Sequence, residues 1–268
     1  MSDDTSPTAA RRPTALVTGA SSGIGRATAV ALARAGHRVA VGYRTDEEGA
    51  RRTVRDMPEG TETTLVRLDL GDPRAAAEAV RRVAGELGGL DVFVNNAGIN
   101  RRADALDEDA DGWQHLLDVD LTGPFLCARA AAASMVAAGR GGRIINVTSV
   151  HEHIPIRGGS AYCAAKAALG AVTKVMALEL AEHRITVNSV APGETATPMN
   201  GVPERTDAAD VKRPAIPVGR PGRPAEVAAL ITHLASPAAA YTTGVSLTVD
   251  GGLSLMAAIA NQGYANTL

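Results

Sequence analysis

The chain has 268 residues, a length that at roughly 150 residues per domain admits either two small domains or one large α/β domain. Its 27 Lys and Arg against 29 Asp and Glu leave a formal net charge of −2, so bulk attraction to nucleic acid or to an anionic membrane is not expected. Hydrophobic residues make up 45% but aromatics only 3%, as four Tyr, two Phe and one Trp, which implies an aliphatic core and makes any aromatic in a cleft conspicuous.

Met1 to Arg12 is rich in Ser, Thr, Asp and Ala without an apolar run and reads as a flexible tail, not a signal peptide. Short apolar, β-branched runs then alternate with longer helical patterns. They fall at Thr14–Thr18, Arg38–Tyr43, Thr63–Asp69, Asp91–Asn95, Arg143–Thr148, Thr186–Val190 and Ser246–Val249. Apolar runs suit strands buried on both faces, and intervening helices are what parallel pairing requires. The expectation is an α/β fold with one doubly wound parallel sheet of seven strands, forming a single domain over residues 13–268. The longest Ala-rich stretch, Ala128 to Ala138, contains Arg129 and Ser134 and falls short of the roughly 18 apolar residues of a spanning helix. Cys127 and Cys163 lie in no Cys-x-x-Cys and no His cluster, so neither a disulfide framework nor a metal site is expected, and a reducing cytoplasm fits. Pro192 to Pro224, with six further prolines after the first, reads as a lid or substrate loop.

Three stretches carry chemistry. After the first strand comes Thr18-Gly19-Ala20-Ser21-Ser22-Gly23-Ile24-Gly25, then a helical pattern from Arg26 to Ala35. Glycines there let the backbone approach a diphosphate, which the helix N-terminus would meet with free N–H groups. A tight strand-to-helix connection would need the same glycines. At the end of the second strand, Tyr43 occupies the slot where an acidic residue would bind a free ribose 2′-OH, and Arg44 follows. A guanidinium there suits a 2′-phosphate and favours NADP(H), with NAD possible because Asp46, Glu47 and Glu48 follow closely and Arg44 can equally be a solvated turn residue. Third, Ser149 ends the fifth strand, and Tyr162 and Lys166 share one face of the following helix, which runs to about Glu182. A tyrosine near pKa 10 is a poor base at neutral pH, and a neighbouring cation would favour its ionised form.

Together, Thr18-Gly19-x-x-x-Gly23-x-Gly25, Asn95-Asn96-Ala97-Gly98, Ser149 ahead of Tyr162-x-x-x-Lys166, and Pro192-Gly193 resemble the short-chain dehydrogenase/reductase family from Thr14 to Gly252. The resemblance implies a Rossmann-type fold and hydride transfer between a nicotinamide and a carbonyl or alcohol. It makes Tyr162 the acid/base and Ser149 the holder of the substrate oxygen. Lys166 would bind the nicotinamide ribose and lower the Tyr162 pKa. Gly19, Ser21, Ser22, Gly23, Ile24 and Gly25 would receive the diphosphate, Asp69 and Leu70 the adenine, and Asn96, Ala97 and Gly98 the length of the cofactor. Pro192, Gly193, Thr195 and Thr197 would lie near the nicotinamide carboxamide. The family's fourth catalytic position, normally Asn, is Asp120 here. Its role is carried by a main-chain carbonyl, so activity is expected to survive the change.

The stretch Ser149-Val150-His151-Glu152 is similar to one in bacterial glucose 1-dehydrogenases, and the whole chain resembles uncharacterised bacterial oxidoreductases. His151 and Glu194 are the candidate substrate residues, for a sugar-like, hydroxyketone or diketone substrate, and Glu152 beside His151 could also hydrogen-bond it, although His151 and His153 can also be surface turn residues. Two alternatives stand beside this reading. A 3-oxoacyl-carrier-protein reductase would need basic residues at the mouth, for which Arg129 and Arg140 are available but Leu178 replaces the usual mid-helix base. A non-catalytic dinucleotide-binding redox sensor would be expected to lack one of Ser149, Tyr162 and Lys166. The resemblance also implies a homotetramer. Small residues on the Thr122–Ala138 and Ser160–Glu182 helices, and the apolar stretch from Leu253 to Leu268, would serve the subunit contacts.

Overall fold

The apolar runs form strands and the Ala-rich periodic stretches form helices in the computed structural model, which describes residues 11–256. In chain order these are β1 (Thr14–Val17), α1 (Gly23–Arg34), β2 (Arg38–Tyr43), α2 (Glu47–Arg55), β3 (Thr63–Arg67), α3 (Pro73–Glu86) and β4 (Val92–Asn95). There follow α4 (Ala110–Leu117), α5 (Gly123–Ala138), β5 (Gly142–Val147), α6 (Ser160–Leu180), β6 (Ile185–Pro192), α7 (Pro224–Ala235) and β7 (Ser246–Val249). The strands form one parallel sheet in the order β3-β2-β1-β4-β5-β6-β7.

Period-2 alternation sends successive strand residues to opposite layers. Leu16, Ala40, Phe93 and Ile144 face the layer built by α3, α5 and α6. Ala15, Val17, Val41, Val94 and Ile145 face α1, α2 and α7. Both faces are covered, which is why the strands read as nearly unbroken apolar runs. The expected elements differ at their ends for local reasons. β3 stops at Arg67 because Asp69 turns the chain by accepting from Gly71 N at 3.0 Å. β6 continues to Pro192 because β7 pairs with it as far as Pro192↔Val249. The helix expected from Thr122 begins earlier, with α4, and reaches α5 through a π turn at Asp118–Thr122. The combined stretch Ala110–Ala138 and the stretch Ser160–His183 are long and apolar enough to cross a membrane. Here both pack against the sheet, with 44% and 50% of their most apolar windows buried.

Residues 1–10 of the expected tail and 257–268 of the apolar C-terminal stretch, with Ile259 and Tyr264, lie outside the described residues. Arg11 and Arg12 touch the fold: Arg11 pairs with Asp91, and Arg12 donates to Gly60 O at 3.2 Å.

Candidate active site

The chain leaves β1 toward β2 on one side and β4 toward β5 on the other, so the carboxyl ends of β1 and β4 diverge at a switch point where open α/β sheets form a crevice. A cleft of about 810 Å³ occupies that place. Two loops are laced together at its floor. Thr18 Oγ1 accepts from Asn96 N and Ala97 N, both at 3.0 Å, and Asn96 Nδ2 donates to Thr18 O at 2.9 Å and Gly19 O at 3.2 Å. The glycines are required here. Gly19 has φ +63° and a Cβ on it would lie 2.8 Å from Ala97 Cα, while a Cβ on Gly25 would overlap Gly19 O and Asn96 Nδ2.

The first turn of α1 has no capping side chain and no acidic residue, whereas Asp46, Asp72 and Asp109 cap α2, α3 and α4. Its free N–H groups open on the cleft at Ser22, Gly23 and Ile24, an arrangement that suits a diphosphate. Gly19, Ser21, Arg44, Asp69, Leu70, Asn96, Ala97 and Gly98 also line the cleft. So do Pro192, Gly193, Glu194, Thr195 and Thr197 from the proline-rich segment after β6. Gly25 and Tyr43 do not: Gly25 packs beneath the turn, and Tyr43 turns its hydroxyl to Glu47 Oε2 at 3.2 Å. The residues present therefore fit a dinucleotide.

At the other end Ser149, Tyr162 and Lys166 converge on the same cleft. Ser149 follows β5, and its Oγ accepts from His151 N at 3.2 Å. Tyr162 and Lys166 open α6, with Lys166 Nζ 5.5 Å from the Tyr162 ring centroid. Asp120, whose main-chain carbonyl carries the role the resemblance implies, also brings its carboxylate to Lys166. Oδ2 lies 3.0 Å from Lys166 Nζ, and Oδ1 accepts from Ile99 N at 2.8 Å. Asp120 is 0% and Lys166 4% exposed. Burial disfavours the ammonium, but the charge of Asp120 and that of Tyr162 outweigh it and hold the Lys166 pKa above its ordinary value.

His151 lines the cleft, its ring edge-on to Tyr162 at 6.1 Å between centroids and its Nδ1 3.0 Å from Ile154 O. Burial is the main cause that lowers its pKa. The Ile154 carbonyl opposes this and Arg102 adds to it, so the ring is neutral near pH 7. Glu152, whose side chain was considered for the substrate, turns away from the cleft. It accepts from Thr148 Oγ1 at 2.7 Å and Ser246 Oγ at 3.0 Å, and its side chain is 5% exposed. His153 is a surface residue with Nε2 3.3 Å from Ser246 Oγ. Glu194 is held by Arg213. Arg140 does not reach the mouth: it precedes β5 and faces Asp91 at the opposite edge of the sheet, 3.7 Å away.

Two features escaped the sequence reading. A buried chain runs from Asn95 Nδ2 to Asn146 Oδ1 and from Asn146 Nδ2 to Thr173 Oγ1, each 2.8 Å, tying β4, β5 and α6 beneath the site. Polar residues inside two apolar strand runs were the available signal. Arg102 also lines the cleft, with Cζ 6.0 Å from the Tyr162 ring centroid. The consecutive arginines after Asn95-Asn96-Ala97-Gly98 were the signal there.

Residues 19–254 match a protein-family model described as enoyl-(acyl carrier protein) reductase. Over 245 residues, 90% of this chain and 95% of the relative, the sequence is 49% identical to the uncharacterized oxidoreductase YohF of Escherichia coli (strain K12). The structure is similar to that of acetoin dehydrogenase YohF from Salmonella typhimurium, with TM-score 0.86 and 45% identity over 91% of this chain and 97% of the other. It is equally similar to acetoin dehydrogenase from Enterobacter cloacae, with TM-score 0.86 and 47% identity over 92% and 97%.

Proposed function

Because the chain belongs to the short-chain dehydrogenase/reductase family and is an oxidoreductase of the kind that acts on CH–OH and C=O groups, we propose that it moves a hydride between NADP(H) and a small hydroxyketone, diketone or sugar-like substrate. The observation that carries this reading is the meeting of Ser149, Tyr162 and the ion-paired Lys166 at one end of a cleft whose other end is the glycine turn and uncapped α1. A bound nicotinamide would supply or take the hydride. Tyr162 delivers the proton to the substrate oxygen in reduction and removes it in oxidation, and Ser149 Oγ holds that oxygen in line. Lys166, kept charged by Asp120, places its cation beside the tyrosine and the ribose. Asp69 and Leu70 bound the adenine site, and Thr195 and Thr197 the carboxamide.

NADP(H) over NAD(H) is supported by how the charges after β2 are used. Asp46, Glu47 and Glu48 pair with Arg52, Arg51 and Arg55 at 3.7, 2.6 and 2.6 Å, which leaves Arg44 on the cleft available to a 2′-phosphate. The hydroxyketone or diketone class is supported by the acetoin dehydrogenases named above. A carrier-protein reductase is disfavoured by Leu178, which stands at the mid-helix position where that group has a basic residue. A redox sensor is disfavoured by the complete Ser149, Tyr162 and Lys166 set. The homotetramer implied by the family is supported by apolar side chains left exposed on α5 and α6, namely Phe125, Val136, Val175 and Leu178.

The test is NADPH and NADH oxidation with 2,3-butanedione and a panel of aldehydes and lactones. Tyr162→Phe is expected to lower kcat on the order of 10²- to 10⁴-fold while leaving cofactor binding intact. Arg44→Ala is expected to raise the KM for NADPH far more than that for NADH; equal effects would defeat the NADP(H) assignment. Cofactor binding with no turnover on any panel member would favour the sensor.

A further inference from the structure

The charges that line the cleft are nearly all committed. Asp46 caps α2 by accepting from Gly49 N, Asp69 accepts from Gly71 N, Asp120 pairs with Lys166, and Glu194 pairs with Arg213. Close to Arg102 along the chain, Asp104 pairs with Arg157, and Glu108 and Asp109 pair with Arg101. Arg101 is the residue just before Arg102, yet Arg102 shares none of these partners. Among the described residues, Arg44 and Arg102 are the two cations lining the cleft that have no carboxylate partner. Arg44 stands after β2 at the nucleotide end, and Arg102 stands beside Tyr162 at the reacting end.

Arg102 is also given room. An added Cβ on Gly159, just ahead of α6, would lie 2.9 Å from its Nη1, so the guanidinium sits against the start of this helix. The neighbouring wall is the neutral ring of His151 and the apolar Val150, Ile154 and Ile156. A planar cation with open donors, facing a reacting tyrosine across an otherwise uncharged wall, matches a carboxylate and holds it bidentately. A neutral diketone would leave this charge without use.

We propose that Arg102 is a specificity-determining residue that binds the carboxylate of a small 2- or 3-oxo acid, or of the matching hydroxy acid. This rests on the reductase reading above and puts an oxo acid in place of the neutral hydroxyketone or diketone as the substrate class. The reaction is an oxo acid, NADPH and a proton giving the hydroxy acid and NADP⁺, with the proton entering from Tyr162 at the carbonyl oxygen.

The experiment compares isosteric pairs that differ in the carboxylate: pyruvate with 2,3-butanedione, and acetoacetate with 2,4-pentanedione. In the wild-type protein the oxo acids are expected to have the higher kcat/KM. Arg102→Gln is expected to lower their kcat/KM roughly 10- to 100-fold, mainly through KM, with the diones little changed, because a hydrogen-bonded charge is lost only for the acids. Arg102→Lys should recover part of the loss. A second arm needs no turnover: calorimetric binding of oxamate to the NADP⁺-loaded protein should weaken at least about 10-fold in Arg102→Gln. An unchanged oxamate Kd, equal losses for acids and diones, or a rise confined to the KM for NADPH would each overturn the proposal. Reduction of the diones with no preference for the acids would overturn it while leaving the reductase reading intact. Absence of any Tyr162-dependent turnover would instead sink the reductase reading, and the oxamate arm would still decide the role of Arg102.

Discussion

Asp120 and Lys166 form a buried ion pair whose partners come from different elements, and the carboxylate favours the charged lysine. Such a pair is weak evidence of net stabilisation, but removing one member strands the other in a low-dielectric setting. Asp120→Ala is therefore expected to lower unfolding free energy by about 3 kcal/mol in urea denaturation. Asp120→Asn keeps an acceptor for Ile99 N and is expected to remain active. The pH dependence has a definite sign. The folded pKa of Lys166 is raised, so its contribution is fully present below the ordinary value of 10.5 and is lost as pH rises through the raised one. The stability gap between wild type and Asp120→Ala should be constant around neutrality and shrink in alkali; a gap already closing near neutral pH would show that the pair is not what holds the charge. The sequence placed Asp120 in its slot but did not show which of its atoms makes the contact, because its partners, Lys166 and Ile99, lie far along the chain.

At the scale of elements, α6 carries the site on one face and a structural demand on another. Its Gly170 leaves space that the Glu152 carboxylate fills, and an added Cβ would overlap Glu152 Oε1. Alanine has the higher helix propensity by roughly 1 kcal/mol, so propensity alone predicts that Gly170→Ala stabilises. Packing predicts the reverse, since Glu152 can move only by giving up Thr148 and Ser246. Packing is expected to win, with a net loss of roughly 1–3 kcal/mol in chemical denaturation. A stabilised variant would mean that the Glu152 side chain relocates freely. The short 3₁₀ turn Val150–Glu152 that anchors this carboxylate begins directly after Ser149, so the variant is also expected to lower kcat. Sequence reading found α6 and the Tyr162–Lys166 pair from spacing, and a catalytic role for them from the family resemblance. It took Glu152 toward the substrate because a turn of three residues does not reveal which side of the strand end each side chain faces.

At the scale of the molecule, the doubly wound sheet sets the cleft where β1 and β4 part, and the two helical layers leave α5 and α6 with apolar residues facing outward. If those faces meet a second subunit, Leu178→Asp is expected to reduce the native mass in light scattering, with the thermal midpoint becoming dependent on protein concentration. An unchanged mass would place the subunit contacts elsewhere. The seven strands, their parallel pairing and the spacing of Ser149, Tyr162 and Lys166 were legible in the sequence by itself, because period, glycine spacing and i,i+4 spacing are local quantities. The tertiary structure alone decided which charges are spent and which are open: Asp120 on Lys166, Glu194 on Arg213, Glu152 on Thr148 and Ser246, with Arg44 and Arg102 left to face the cleft. Most of those pairings join residues far apart along the chain, and charge pairing depends on distance in space, which spacing along the chain does not encode.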